Sequence, residues 1–173
     1  MQSLDTPVNW SDVTKAASRP SIDLDLTQPQ TKAAYQFWLD KRAGRLMPSP
    51  KDINPAEIRS LLHFISILEV VPGPPVDYLY RIDGEAVRSA IGFTRTGRRH
   101  SEFADRIGPA HSYNMDCFAA IRADAKPRCA RLALSHLSRS FYVLEIVYLP
   151  FSEDGTTVHR IMQCVSFIRK PKD

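Results

Sequence analysis

The chain has 173 residues, 43% of them apolar and 24% charged, a balance that supports one packed core and excludes a wholly disordered chain. A net charge of +4 is too mild to mark a nucleic-acid-binding surface, and no recognition signature for DNA or RNA accompanies it. Three cysteines, Cys117, Cys129 and Cys164, without a CxxC pair, exclude a disulfide framework and a zinc site, and fit reduced thiols in a cytoplasmic protein. The first residues, MQSLDTPVNWSDV, lack the apolar core of a signal peptide, and no apolar run approaches the roughly 20 residues that span a bilayer.

Residues 1–28, rich in Ser, Thr, Asp and Pro, predict a loosely held arm. From Gln30 the pattern becomes helical: Ala34, Phe37, Trp38 and Lys41 recur at spacings of three and four, Tyr35 and Leu39 widen the stripe, and Gly44 closes it. Pro48 and Pro50 require extended chain. Asn54-Pro55-Ala56-Glu57 then combines a capping Asn, a Pro at the first helical position and an early acid, which predicts a short helix carrying Ile58, Leu61 and Leu62. The apolar run Phe64–Val71 reads as a strand, Pro72-Gly73-Pro74-Pro75 as a turn, and Tyr78–Ile82 as an alternating strand with Tyr78, Tyr80 and Ile82 on one face. Glu85–Ile91 reads as a short helix between Gly84 and Gly92. A basic connection follows from Phe93 to Gly108, and a longer helix runs from Pro109 to about Asp124. Three strands complete the chain, Pro127–His136, Phe141–Pro150 and Val158–Ile168, with turns at Ser138–Ser140 and Glu153-Asp154-Gly155. The expected fold is α+β: a five-stranded antiparallel sheet with helices on one face and the opening helix partly on the other, spanning residues 29–168, with 169–173 as a tail. Ending on these strands, the chain is expected to lack an appended output or catalytic domain.

This ordering, with several local patterns, resembles a PAS domain, and more narrowly the bacterial single-PAS-domain proteins that open with a Trp-Leu helix and a Gly-Arg-Leu-Pro-like turn. The matching residues are Trp38-Leu39, Arg42, Gly44-Arg45-Leu46, Pro48-Ser49, Asp52-Ile53, Pro55, Glu57-Ile58, Leu61-Leu62, Ile65–Val70, Tyr80-Arg81, Gly84 and Thr96-Gly97-Arg98, with Met47 interrupting the turn. The resemblance implies a sensory or interaction module, usually non-catalytic, that binds haem, flavin or a small metabolite, or works through protein contacts. A flavin photosensor needs a reactive Cys in an Asn-Cys-Arg-like segment, and Met115-Asp116-Cys117-Phe118 does not match it. Haem needs an axial ligand, for which His111 is the candidate, against a plain reading of it as a residue near a helix start. No intrinsic haem or flavin is expected, and the cofactor is left open.

Other residues admit a sharp and a plain reading. The basic run Arg95, Arg98, Arg99 and His100 could hold an anion at a pocket mouth or simply form a solvated, ion-paired loop. Glu69 and Glu145, inside apolar strands, are either a general base or paired strand residues opposite Arg81 or Arg131. Ser135, His136 and Ser138 read as a strand end and its turn. Gln163, Cys164 and Ser166 are the polar interruptions of the last strand, and those pointing inward would line a pocket. The expected pocket lies between the long helix and the sheet, bounded by Tyr80, Met115, Phe118, Leu132, Leu144 and Ile146. Phe37 and Trp38 are expected to pack against the sheet or across a homodimer interface. The sequence thus favours a non-catalytic PAS-like module taking a small ligand, a regulatory protein partner, or both. The rivals are a cup-shaped α+β enzyme of isomerase or hydratase type, and a haem-binding sensor.

Overall fold

A computed structural model describes residues 24–133 and 142–169. Most of the expected N-terminal arm lies outside the described residues, as do Ser135, His136 and Ser138. The described chain opens with helix α1 (Pro29–Arg42), then makes two 3-10 turns, Pro50–Asp52 and Arg59–Phe64. Strands β1 (Ile65–Val71) and β2 (Asp77–Asp83) follow, then helices α2 (Glu85–Ile91), α3 (Ala104–Ile107) and α4 (Pro109–Asp124). Strands β3 (Arg128–Ala133), β4 (Tyr142–Phe151) and β5 (Arg160–Arg169) complete it.

All pairings are antiparallel, in the order β2-β1-β5-β4-β3. β2 and β3 are therefore the two edges of one sheet, and the chain between them must cross it. That crossing is α2, α3 and α4, so those helices lie over one face, as an α+β domain with a single inserted helical layer requires. α1 covers the opposite face. Its Ala34 and Trp38 are buried, and the Trp38 indole N–H donates to the Pro150 carbonyl at 2.7 Å. Because β4 is covered on both faces, Val143–Phe151 are buried without interruption. Trp38 is 2% exposed within a single chain, whereas Phe37 beside it is half-buried. The indole thus belongs to the chain's own core, and no second copy is needed to cover it.

Local expectations are corrected at several places: Pro50–Asp52 turns as a 3-10 helix inside the stretch expected to be extended, and the basic connection carries a 3-10 turn (His100–Phe103) and α3. The segment after Asn54 forms a turn and then a 3-10 helix. Asn54 does cap it, accepting the Ala56 amide at 3.0 Å, but the chain must enter β1 at Ile65 and has no length for a regular α-helix. In β2 the alternation does not run to its end. The pairing skips a residue, with Ile67 opposite Ile82 but Leu68 opposite Tyr80, so Arg81 is the extra residue of a bulge. A bulge shifts the side-chain period by one. Ile82 consequently points outward at 45% exposure, and Asp83 turns inward and is buried.

Gly84 follows that bulge and sits against the preceding 3-10 turn. A Cβ built there would lie 2.3 Å from the His63 carbonyl oxygen and 2.7 Å from that of Leu62, and both obstacles are backbone. Gly84→Ala is therefore expected to lower the unfolding free energy by about 1–3 kcal/mol through overpacking. Urea denaturation followed by circular dichroism checks this. An unchanged midpoint would mean that the 3-10 turn yields freely.

Candidate functional site

The face of the sheet beneath the crossing helices carries the larger side chains. Tyr78, Phe118 and Tyr148 pack ring on ring there, with centroids 4.5 Å apart for Tyr78–Phe118 and 6.0 Å for Phe118–Tyr148. Phe103 and His100 close the same cluster against Tyr80. This packing fills the space under the middle of α4. Toward β3 the large rings give way to aliphatic side chains, and a cavity of about 60 Å³ opens. Its apolar wall comes from Val87 and Ile91 of α2, Ile107 of α3, Ala110 of α4, and Leu132, Leu144, Ile146, Val165 and Phe167 of the sheet. Three polar side chains complete it: Arg95, Asn114 and Gln163.

The expected pocket residues divide accordingly. Leu132, Leu144 and Ile146 stand on the cavity wall. Tyr80 and Phe118 are fully buried in the aromatic packing, and Met115, half-buried on α4, stands off the wall as well. Of the polar residues of β5, Gln163 faces the cavity, while Cys164 and Ser166 face the other way. The Cys164 thiol approaches the Gln30 carbonyl, and Ser166 Oγ lies 3.2 Å from Gln30 Oε1.

Arg95 departs from both readings of the basic run, standing on the cavity wall with its charge already paired. It is buried, with its Nε on Asp83 Oδ2 at 3.0 Å and its Nη2 on Asp83 Oδ1 at 2.6 Å and on Ser66 Oγ at 3.2 Å. Nη1 donates to the Tyr80 hydroxyl at 3.0 Å, and the guanidinium carbon lies 4.1 Å from the centre of that ring. The β2 bulge makes this possible by turning Asp83 inward. A bidentate pair with further hydrogen bonds is the form in which a buried arginine is tolerated. Arg98 and Arg99 do behave as solvated loop residues: Arg98 pairs with Glu102 at 3.2 Å, and both arginines are exposed.

The Tyr80 hydroxyl also meets His100 Nδ1 at 2.9 Å. Since Arg95 already donates to the Tyr80 oxygen, the arrangement that uses the hydroxyl proton sends it to Nδ1, which requires a neutral His100 protonated on Nε2. Burial, with the charges of His111 and Arg95 adding to it, pulls the His100 pKa down to about 4. The His111 ring stacks on His100 with centroids 4.8 Å apart, and its buried Nε2 meets no partner among the described residues. Neither imidazole stands on the cavity wall, so among the described residues the wall offers no axial ligand to a haem.

The two strand glutamates also lie away from the cavity. Glu69 is held by Arg81 at 2.7 Å. Glu145, 1% exposed, lies on the α1 face and accepts from the Thr27 amide and hydroxyl, the Gln28 amide, the Thr31 hydroxyl and Arg131. Despite its burial, these donors hold its carboxyl below the usual range, and they anchor the start of α1 to β4. Thr27 and Gln28, the last residues of the expected loose arm, are thus fixed.

His100 and Glu145 give the fold a defined acid response. A folded-state pKa below 6.5 for His100 means that the unfolded chain binds the extra proton more readily, so stability is lost as the pH falls from about 6.5 toward 4. The depressed Glu145 pKa adds a loss of the same sign below about pH 4.3. The denaturation midpoint is expected to fall between pH 7 and pH 4.5, and His100→Gln, which can still accept from Tyr80, should flatten that part of the curve. A rising midpoint on acidification, or an unchanged slope in the variant, would contradict this.

The architecture is thus a five-stranded antiparallel sheet crossed on one face by short helices, with a small cavity between the layers. A family model described as PAS domain matches residues 26–166, and the chain belongs to that family. No curated protein and no solved structure matches it. Among the described residues no helix is long and apolar enough to cross a membrane, and no cluster of three or more His, Cys, Asp or Glu could hold a metal ion.

Proposed function

We propose that this PAS domain is a non-catalytic cytoplasmic sensor that binds a small molecule in the cavity under α2, α3 and α4 and passes the event to a regulatory protein partner. The observation that carries the reading is the cavity itself, a mostly aliphatic space with three buried polar side chains, which is the usual make-up of a small-molecule site. Among the described residues the enzymatic alternative finds no free base on this wall: Glu69 and Glu145 lie elsewhere, and Asp83 is held by Arg95.

A route for the signal is supported by β4. Leu144 and Ile146 face the cavity, while Glu145 between them grips the start of α1 on the opposite face. A ligand that shifts Leu144 and Ile146 displaces the Glu145 anchor, and with it the helix most available to a partner. The test is native mass spectrometry of the protein purified from its own host, beside Ala110→Phe, which fills the cavity. A bound small molecule in the parent and its loss in the folded variant is the expected result. A ligand retained by the filled variant would place binding elsewhere.

A further inference from the structure

The polar end of the cavity is specific in its chemistry. Gln163 is 4% exposed, and among the described residues its amide meets no hydrogen-bond partner, although it stands on the cavity wall. Its amide is therefore open to whatever occupies the cavity, water included. Asn114 is 7% exposed; its Oδ1 accepts from the Tyr148 hydroxyl at 2.9 Å, and its N–H groups are the donors it can offer. Arg95 spends four of its five N–H groups on Asp83, Ser66 and Tyr80, so one Nη1 hydrogen remains.

Strand register puts these groups at one end. Gln163 lies opposite Tyr148, which holds Asn114, and opposite Ser66, which holds Arg95. Val165 pairs with Ile146, and Phe167 with Leu144, which also faces Leu132, so the cavity becomes wholly apolar over the next four residues of β5. Charge decides the rest. Asp83 already cancels the Arg95 charge at 2.6 and 3.0 Å, and among the described residues the wall holds no second cation. A carboxylate would therefore enter as an unpaired buried charge, and an ammonium would find no free anion.

We infer that the cavity takes an uncharged amphiphile, with a primary amide or similar donor-and-acceptor head on Gln163 and Asn114 and a short aliphatic chain against Leu132, Leu144 and Phe167. This rests on the reading of the cavity as the ligand site and adds the class of ligand. On the scale of roughly 10–15 Å³ per water, the space equals about four to six waters, which suits a chain of about six carbons.

The test is a titration of the methyl-labelled protein at pH 7 with hexanamide, hexanoate and pentane, following the methyl resonances of Leu132, Leu144, Ile146 and Val165 by NMR. Hexanamide is expected to shift them at least tenfold more tightly than hexanoate. Gln163→Leu should weaken hexanamide about tenfold while leaving pentane at least as tight. Hexanoate binding as tightly as hexanamide, pentane alone binding, or an unchanged hexanamide affinity in Gln163→Leu would overturn the inference and leave the pocket standing. Silence of those methyls toward all three probes would remove the pocket reading itself. Should Gln163→Leu fail to fold, Gln163→Met supplies the same comparison, and the parent's preference among the probes decides independently.

Discussion

Replacing Asp83 by alanine is expected to cost about 3–5 kcal/mol of folding stability, because it strands the buried guanidinium of Arg95 without its counter-charge. The Asp83 carboxylate is the only acid that Arg95 touches among the described residues, and Ser66 Oγ donates to the same carboxylate at 2.6 Å. Loss of Asp83 therefore unpairs an arginine and a serine together, beside the cavity wall. The removal of both charges is a different matter. In Asp83→Ala/Arg95→Leu no buried ion remains, and the double variant should recover much of the loss, giving a strong coupling energy in a double-mutant cycle. Urea denaturation of the four proteins checks this. Additive single effects would show that the pair contributes no mutual stabilisation.

Trp38→Ala is expected to cost about 3–5 kcal/mol without altering the size of the particle in solution. The indole fills the space between α1 and the sheet, and its N–H satisfies the Pro150 carbonyl, which truncation would leave buried and unpaired. Tyr35 stacks on it at 6.3 Å and Arg42 lies over its ring, so the loss spreads along the helix. Thermal melting and analytical ultracentrifugation separate the outcomes. A smaller particle at unchanged stability would assign Trp38 to a contact between copies.

The succession of strands along the chain was legible because the chain marks it strongly: alternating or continuous apolar runs bounded by Pro72–Pro75 and Glu153–Gly155 leave few other readings. The aliphatic cavity wall was partly legible for the same reason, since Leu132, Leu144 and Ile146 fall on inward positions of period-two strands. The polar end was legible only in part: Gln163 was among the polar residues of the last strand expected to line a pocket if inward, and Arg95 among the bases considered for its mouth, but not their arrangement. Its key residue, Arg95, is buried because Asp83 turns inward at a bulge, and Tyr78, Tyr80 and Ile82 alternate without a break in the sequence. His100 stood among exposed basic residues, with nothing to show that Tyr80 would meet it. Glu145 was legible as paired, opposite Arg131, but its contacts with Thr27 and Gln28 join residues more than a hundred positions apart. Asn114 carried no signal at all, because a single amide on a helix looks the same whether it faces solvent or a cavity.

The cavity beside Arg95, Asn114 and Gln163 is proposed as the seat of a small ligand. A crystal structure of the protein purified from its own host tests it most directly. Density is expected for a small molecule against Leu132, Leu144 and Phe167, with its polar end within hydrogen-bond distance of the Gln163 amide. Gln163 bonded to the protein's own groups across a cavity closed by its side chains would contradict it.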